Sequence, residues 1–402
     1  MPFLTGFYPG DCNIPGIRWL ERGKFSGIIP FCRSYVGPGN FFINRDLSPK
    51  VKTLFEWIPS SYSIFNPINR GTTSAQRSIS LSRAFYALYG RVTDQWGWVD
   101  ERIFQSLLSI IPTTPKFIFA AFPGIDELSH RFGPHHPEVA ALYVRIDEWF
   151  GELMKRVEHW IGLERTAFII SSDHGLTRTE SHLSLEDVIE DGGFRCLSYP
   201  KIFKQKWDVG VMHSGNAMAH LYIRQGCKKI TDLLLERSEI DWIARKKENG
   251  SIEISSRGGE GTLIQQEHHY SYCSSGQDPL GMDGFEGDDR TSLQVTFHGQ
   301  YPDALVQLSQ VFGSIRSGDT IVVAREGFDL RDKYEWPEHQ ASHGSLGRKH
   351  MMVPLLTNVP MDLFHVRTVD IFPTILSILG HRYTEKIRGR SLIASQPKGG
   401  MI

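Results

Sequence analysis

The chain has 402 residues, of which 40% are hydrophobic and 22% are charged, and this composition is typical of globular proteins. Its 44 Lys and Arg residues balance 45 Asp and Glu residues. This balance argues against nucleic acid or an anionic membrane as the main partner, because both attract a basic excess. No apolar run approaches the roughly 18 residues that a membrane span needs, so we expect no transmembrane helix.

The five cysteines are scattered and form no CxxC pair, a pattern that favours neither a disulfide framework nor a thiolate metal site. A reducing compartment fits this usage. The N-terminal stretch MPFLTGFYPG has no basic region and contains Gly and Pro, unlike a signal peptide. The sequence as written therefore predicts a cytoplasmic protein, with a signal peptide upstream of Met1 as the open alternative. The oligomeric state stays open.

Short apolar stretches rich in β-branched and aromatic residues predict strands at 26–31, 116–122 and 166–173. Between the last two, the segment 137–162 repeats its apolar residues at helical spacing and begins with Pro137, a favoured first helical residue. A strand, a long helix and a strand form a βαβ unit. This unit predicts a parallel sheet that is covered by helices.

The middle of the chain follows a different pattern. From about Trp207 to about His339 it contains β-like stretches at 216–224 and 251–256 and a Gly- and Asp-rich stretch at 274–289. We interpret this region as an insertion that lies over or beside the sheet.

The C-terminal part returns to strands and helices. The stretch 351–356 predicts a strand, and 367–380 predicts a helix that its last residue, a glycine, ends. We therefore predict an α/β catalytic core made of residues 1–206 and 340–402. A smaller β-rich insertion at 207–339 interrupts this core.

Carboxylates and histidines follow two of the predicted strands and recur in a third loop. FPGIDELSHRFGP contains Asp126 and His130, IISSDHGL contains Asp173 and His174, and EHQASHGSLGRKHM contains His343. Taken alone, the first pair is more typical of a turn carboxylate and a surface histidine than of a functional site. In open parallel sheets, however, ligands gather at the carboxyl ends of strands. We therefore expect the five side chains to lie at one edge of the sheet.

The residue types at this edge point to a metal site. Carboxylates and neutral imidazoles suit Zn, Mn or Fe better than Ca. Two metal ions about 4 Å apart are the usual apparatus of phosphoryl transfer, in which one activates the attacking oxygen and the other stabilises the leaving oxygen. The pattern therefore predicts phosphoryl-transfer chemistry with divalent metal ions.

These motifs resemble the alkaline phosphatase superfamily, in particular its type I phosphodiesterase and nucleotide pyrophosphatase branch. GIDELSHRFGP is similar to the family's D-x-x-G-H-x-x-G-P segment, with Ser129 where Gly is usual, and SSDHGL is similar to its D-H-G segment. SHGSLGRKHMMVPLL resembles the segment of the last metal-binding His, VRTVDIFPTILSILG the closing helix, and LTGFYPGDCNIPGIRW the T-G-x-x-P-x-x-H-G-I segment. The resemblance runs from Thr5 to about Leu392.

The resemblance implies an alkaline-phosphatase-like α/β/α sandwich with a mostly parallel sheet. It implies hydrolysis of small-molecule phosphate esters through a covalent intermediate on a Thr or Ser, without a nucleic acid polymer as partner. Two divalent metal ions are implied, in the first place Zn, with Mn as the alternative. In the family pattern, one ion is held by Asp126, His130 and His343. The residues Asp173 and His174 contribute to the second ion.

The chain departs from the family pattern at two places. Cys12 and Asn13 replace the His and Gly of the early motif, and that His is not among the ligands above. The family's nucleophile and its first-strand Asp precede the T-G pair, which here is Thr5-Gly6. We therefore expect both groups and the first strand upstream of this chain. The chain as written is expected to be nearly inactive on aryl phosphodiesters and less stable than a longer form.

Two other classes of function stay open. One is a catalytically incomplete or inactive relative with a binding role, and the other is a different hydrolase of the superfamily, acting on phosphomonoesters, sulfate esters or phosphonates. The C/S-x-P-x-R segment of a sulfatase is not found. Gly215 and Asn216 fit a pocket wall or a strand-entry turn equally well. We interpret Thr5 and Thr177 as structural and the remaining motif-adjacent histidines as surface residues: His135, His136, His268, His269 and His350.

Overall fold

The computed structural model describes residues 1–22, 32–79, 83–199, 206–331, 337–383 and 386–393. The strand predicted at 26–31 lies outside these residues. The elements of the N-terminal part are α1 (Pro2–Thr5), β1 (Arg18–Leu20), β2 (Cys32–Ser34), α2 (Ile43–Asp46), α3 (Leu54–Trp57), β3 (Ser61–Ile64), β4 (Arg77–Ser78), α4 (Arg83–Thr93), α5 (Trp96–Ile110), β5 (Phe117–Ala120), α6 (Gly124–Phe132), α7 (Pro137–Trp160), β6 (Ile169–Ser171), β7 (Thr177–Arg178), β8 (Ser181–Leu183), α8 (Leu185–Asp191) and β9 (Cys196–Ser198).

The middle and the C-terminal part carry the remaining elements. In the middle these are β10 (Val209–Ser214), β11 (Met218–Ile223), α9 (Cys227–Leu235), β12 (Ile240–Lys246), β13 (Ile252–Ser255), β14 (Gly259–Gln266), β15 (His269–Gly276), β16 (Phe285–Asp288), α10 (Asp289–Thr296), α11 (Ala304–Phe312), β17 (Thr320–Ala324) and β18 (Phe328–Leu330). The C-terminal part has β19 (Ala341–Ser342), α12 (Arg348–Met351), β20 (Leu355–Thr357) and α13 (Ile371–Ile378).

Three strands of the N-terminal part form a parallel sheet, the type of sheet that the sequence predicts. Its order is β4-β3-β5, with both pairs parallel. On β5, Phe117 and Phe119 pack on one hydrophobic cluster while Ile118 and Ala120 pack on another, because successive side chains of a strand point to opposite faces. The strand after α7, β6, does not extend this sheet and pairs antiparallel with β20.

The largest sheet lies in the middle of the chain and has nine strands in the order β16-β15-β14-β13-β12-β17-β11-β10-β9. All its pairs are antiparallel except that of β9 and β10. The α/β fold class is confirmed, but the balance of the sheets differs from the prediction, since the β-rich region carries the larger sheet. The reason is that short turns join successive antiparallel strands there, and hairpins need no helix between strands. The division into core and insertion stays a prediction. Its proposed boundary at residue 206 lies between β9 and β10, which pair with each other in the nine-stranded sheet.

Helices cover both faces of the nine-stranded sheet. On β17, Ile321 and Val323 pack with α11 in one cluster, whereas Val322 and Ala324 pack with α8 and α9 in another. This alternation gives three layers, helix on sheet on helix. Among the described residues, no helix has both the length and the apolar character that crossing a membrane requires.

The long helix α7 agrees with its sequence pattern. Pro137 is its first residue, and the His136 ring accepts a hydrogen bond from the Glu138 amide at 3.3 Å, so one of the unpaired donors of the first turn is satisfied. Its buried face holds Val139, Leu142, Leu153 and Val157, which pack against α5. The helix therefore makes up most of the connection between β5 and β6, the two strands nearest the predicted site.

The C-terminal predictions hold in part. The helix α13 ends just before Gly380, whose φ is +72°, as expected for a left-handed terminating glycine. The strand predicted at 351–356 is shorter and begins at Leu355, because the preceding residues to Met351 form the one-turn helix α12. Pro354, which has no amide donor, separates the helix from the strand.

Candidate active site

The helix that carries Asp126 and His130 begins where β5 ends. Its first residue, Gly124, donates its amide to the buried carboxylate of Asp100 at 3.1 Å and 3.2 Å. A Cβ at Gly124 would lie 2.4 Å from Asp100 Oδ2, so only glycine permits this approach. The four-residue spacing then places Asp126 and His130 on one face of α6. Burial raises the pKa of Asp100 to about 8, so a neutral carboxyl group holds the start of the helix at neutral pH.

His130 is fixed from the other end of the helix. Its Nδ1 lies 2.8 Å from the carbonyl oxygen of Ala341, and because that oxygen can only accept, Nδ1 carries the proton and Nε2 is free of one. The Nε2 atom lies 3.4 Å from Asp126 Oδ1. Two acceptor atoms therefore face each other, which favours a proton or a cation between them.

The loops of His174 and His343 are joined by short strands. Thr177 on β7 pairs with Ser342 on β19 in an antiparallel register. The backbone of His343 is held on its other side, since its amide donates to Gly215 and its carbonyl accepts from the amide of Ala217. The rings of His174 and His343 lie parallel, with centroids 3.6 Å apart and an interplanar angle of 4°.

Three of the five predicted residues converge on one point. Asp126, His174 and His343 each offer one ligand atom, and these atoms lie within 4.8 Å of one another. The grouping differs from the family pattern, in which His343 shares an ion with Asp126 and His130 and in which His174 belongs to the second ion. The His130 ring lies 5.2 Å from the His343 ring, between centroids. The carboxylate of Asp173 is 73% exposed and lies 3.7 Å from His174 Nε2.

The convergent residues fit a divalent metal ion by their chemistry. Two imidazoles and a carboxylate are a usual donor set for Zn. Asp126 Oδ1 is buried, and no hydrogen-bond donor among the described residues satisfies it, which is costly unless a cation or a proton completes the site. Burial, followed by the neighbouring charges of His174 and His130, holds the pKa of His343 well below its usual range. Its imidazole is therefore neutral, the form that binds metals.

Four further residues lie around this group. The His339 ring is 4.4 Å from the His130 ring, between centroids, and its Nδ1 accepts from the Asn216 side-chain amide at 3.1 Å. The same amide donates to the fully buried Asp329 at 3.1 Å. Burial, and then the charges of Asp173 and Asp126, raise the pKa of Tyr35, so a protonated phenol lies near the carboxylates. The sequence indicated Asn216 as a pocket or turn residue, and His339 stands four residues before His343 in the same motif.

His350 differs from its interpretation as a surface residue. It is only 6% exposed, and its two ring nitrogens lie 2.8 Å from Thr177 Oγ1 and 2.7 Å from Ser345 Oγ. Burial, and then the nearby His174, lower the pKa of His350 to about 4. The motif segment SHGSLGRKHM therefore contributes a second buried histidine besides His343.

Comparison with solved structures gives the fold. Phosphonoacetate hydrolase from Sinorhizobium meliloti 1021, solved with phosphonoformate, superimposes with a TM-score of 0.53 and 13% identity over 94% of this chain and 82% of the hydrolase. Murine ectonucleotide pyrophosphatase/phosphodiesterase 5 gives a TM-score of 0.53 and 12% identity over 95% of this chain and 82% of that protein. At these identities the likeness concerns the fold, which is that of the alkaline phosphatase superfamily.

Among curated proteins, the human GPI ethanolamine phosphate transferase 3 catalytic subunit is 34% identical over 104 residues, which is 26% of this chain and 9% of the human protein. The mouse protein of the same name is 34% identical over 65 residues, or 16% of this chain and 6% of the mouse protein. The aligned region therefore spans less than a tenth of the length of these relatives.

The family profile described as type I phosphodiesterase/nucleotide pyrophosphatase matches residues 3–346. This match includes Asp126, His130, Asp173, His174 and His343, and it covers most of the chain. The chain belongs to the type I phosphodiesterase/nucleotide pyrophosphatase family, a branch of the alkaline phosphatase superfamily, and this membership supports a phosphoric ester hydrolase.

Proposed function

We propose that the protein is a metal-dependent hydrolase of small-molecule phosphate diesters, of the phosphodiesterase/nucleotide pyrophosphatase type. The observation that carries this proposal is the convergence of Asp126, His174 and His343 within 4.8 Å, together with the orphaned Asp126 oxygen. In this proposal, these three residues hold one divalent ion, in the first place Zn, with Mn as the alternative. His130 and Asp173 flank them and complete the binding of two ions.

A divalent ion at this site supplies Lewis acidity toward a phosphoryl oxygen and lowers the pKa of a bound hydroxyl. The residues of the chain provide the rest. His130 keeps its Nε2 lone pair toward the site because its Nδ1 carries the proton and donates it in a hydrogen bond to the carbonyl oxygen of Ala341. Tyr35, with its pKa raised near two carboxylates, keeps its phenolic proton as a hydrogen-bond donor for an anionic ester.

The proposal also includes the position of the nucleophile. We infer a Thr or Ser hydroxyl several residues before Thr5, together with an Asp at the end of a separate first strand that pairs with the sheet. Two observations support a further strand at this edge. Among the described residues, β5 has a strand partner along one edge only, and its four side chains are half-buried rather than buried.

The test measures metal binding and turnover separately. Co(II) absorption reports binding to the metal-free protein, and release of p-nitrophenol from bis(p-nitrophenyl) phosphate reports turnover with Zn or Mn. His343→Ala should abolish tight Co(II) binding, whereas His135→Ala on the exposed side of the motif should not. Absence of Co(II) binding to the unmodified chain would contradict the proposal. Binding without turnover would support an upstream nucleophile, and turnover lost in His343→Ala would place the nucleophile within the 402 residues.

A second candidate function is transfer of the phosphoryl group to an alcohol instead of water. The identity to GPI ethanolamine phosphate transferase 3 favours it, and so does an exposed apolar face on α4. Phe85, Leu88 and Val92 are 61%, 64% and 72% exposed on this helix, and Arg91 of the same helix pairs with Glu127, the neighbour of Asp126, at 3.3 Å. An apolar face this close to the site suits an amphiphilic ester.

Product analysis separates the two functions. With a primary alcohol added, hydrolysis gives a phosphomonoester and transfer gives a new phosphodiester, and phosphorus NMR distinguishes the two. Leu88→Ser should raise KM for a long-chain phosphodiester and leave a short-chain one unchanged. The control is Val295→Ser on α10, whose side chain is equally exposed at 61%. If Leu88→Ser and Val295→Ser act alike, the face on α4 has no part in substrate binding.

A further inference from the structure

One buried histidine joins the loops that carry two of the convergent ligands. His350 lies 2.8 Å from Thr177 Oγ1 and 2.7 Å from Ser345 Oγ, and we refer to Thr177, Ser345 and His350 as the histidine clamp. Thr177 follows His174 by three residues, and Ser345 follows His343 by two. The clamp therefore links the two chain segments that directly follow His174 and His343.

The hydrogen bonds of the clamp define its tautomer. The backbone amide of Ser345, which can only donate, lies 3.3 Å from His350 Nδ1. The Nδ1 atom is therefore the acceptor, and the remaining ring nitrogen, Nε2, carries the proton and donates it to Thr177 Oγ1. Both ring nitrogens are satisfied while the side chain is buried, so the imidazole has one defined orientation.

Backbone contacts of the same residue strengthen the connection. The carbonyl of His350 accepts the amide of Gly175 at 2.8 Å, directly after His174. A Cβ at Gly175 would lie 2.0 Å from the carbonyl oxygen of Lys349, so the two segments touch along their backbones. The rings of His174 and His343 consequently face each other at 3.6 Å without a direct hydrogen bond between them.

We propose that His350 is a positioning residue for the metal site, which holds His174 against His343 through the hydroxyls of Thr177 and Ser345. The proposal rests on the proposed function, because the site that His350 orders is the proposed metal site. Partners that orient metal ligands from outside typically contribute 10- to 100-fold to metal affinity. A buried histidine with a purely structural role would contribute to stability and leave the metal affinity unchanged.

The chain offers a matched pair of threonines for the test. Thr177→Val removes the hydroxyl that His350 binds and keeps the β-branched shape. Thr179→Val is the control, because Thr179 is 5% exposed and its buried hydroxyl has no hydrogen-bond partner within the part of the chain that the structure describes. His350→Gln is a second test variant, in which the amide nitrogen of Gln reaches the position of Nε2 and the contact with Ser345 is lost.

Two measurements are made on these full-length variants. The first is the rate at which diethyl pyrocarbonate modifies His174 in metal-free protein, followed by mass spectrometry. We expect a several-fold faster rate in Thr177→Val and His350→Gln, and the unmodified rate in Thr179→Val. The second is the Kd for Co(II), which should rise about tenfold in the two test variants and stay unchanged in the control.

The outcomes separate the two proposals. If the unmodified protein binds no Co(II), the proposed function fails, while the modification rate of His174 still decides whether His350 positions it. An unchanged modification rate in both test variants overturns the positioning role. If the unmodified protein binds Co(II), an unchanged Co(II) affinity in both test variants also overturns the positioning role. An equal change of the modification rate or the affinity in Thr179→Val overturns it as well.

Discussion

The imidazole rings of His174 and His343 lie face to face, 3.6 Å apart and 4° from parallel. Two imidazolium ions at this distance would repel each other strongly, so the arrangement requires at least one neutral ring. Burial and the surrounding histidines keep His343 in that state, since its pKa lies far below the usual range. A neutral His343 ring can therefore lie against His174 without repulsion between two positive charges.

A metal ion should stabilise the folded protein. A ligand that binds only the folded state adds about 2.7 kcal/mol to the free energy of unfolding at a concentration of 100 Kd. We expect Zn or Co(II) to raise the melting temperature of metal-free protein and a chelator to reverse the change. Asp126→Asn should lose most of the effect, because its orphaned oxygen becomes a neutral amide oxygen. Asp147→Asn on the exposed face of α7 is the control, and an equal loss there would contradict the prediction.

Asp100 should make the free energy of unfolding depend on pH. Burial raises its pKa in the folded protein to about 8 from the 3.8 of an exposed Asp side chain. Between these two values the folded state binds the proton and the unfolded state releases it, so stability falls as pH rises from about 4 to about 8. Asp100→Asn cannot titrate and still accepts the Gly124 amide. We expect urea unfolding to show a smaller decrease over this range in the variant, and identical slopes would contradict the assignment.

The fold and the ligands were predictable to different extents. The motifs predicted Asp126, His174 and His343 at one edge of the sheet from their positions shortly after apolar stretches, and the structure brings one ligand atom of each within 4.8 Å of the others. Their partition between two ions was taken from the family pattern, and the geometry groups them differently. The size of the nine-stranded sheet was not evident, since its hairpins have irregular turns and weakly alternating strands.

His339 and His350 show why the remainder of the site was beyond sequence reasoning. Each stands beside the His343 motif, and histidines near a motif are usually surface residues. Their roles depend on partners far along the chain, Asn216 for His339 and Thr177 for His350. Thr177 and His350 are 173 residues apart in the sequence, so their contact leaves no periodic pattern in it. Only the folded structure distinguishes the buried His350 of the clamp from an exposed histidine.

The buried hydrogen-bonded pair of Glu186 and His213 should be important for stability. Their side chains are 2% and 3% exposed, with His213 Nε2 at 3.2 Å from the carboxylate. Removal of one partner from a buried pair costs about 3–5 kcal/mol, because it leaves the other charge uncompensated. The exposed pair of His269 and Glu286 is the matched control, at 54% and 66% exposure, and its loss costs about 0–1 kcal/mol. We expect His213→Ala to unfold at much lower urea than His269→Ala, and similar midpoints would contradict this.

Gly215 offers the sharpest test of the position of His343. A Cβ there would lie 2.6 Å from His343 Nδ1 and 2.7 Å from its carbonyl oxygen, so Gly215→Ala should displace the ring. The backbone at Gly215 also has a φ of +67°, where a side chain costs roughly 1–2 kcal/mol. Gly250→Ala separates the two effects, because Gly250 has a φ of +88° with no atom within 4 Å of the added Cβ.

Both glycine variants should lose a similar free energy of unfolding, but only Gly215→Ala should lose affinity for Co(II). We expect the loss to be at least about tenfold, comparable with that of a displaced supporting group in other metal sites. Urea unfolding of the metal-free proteins measures the first quantity and Co(II) absorption the second. If Gly215→Ala binds Co(II) as tightly as Gly250→Ala does, His343 is not a ligand. In that case the metal would have to be held by Asp126, His174, His130 and Asp173 without it.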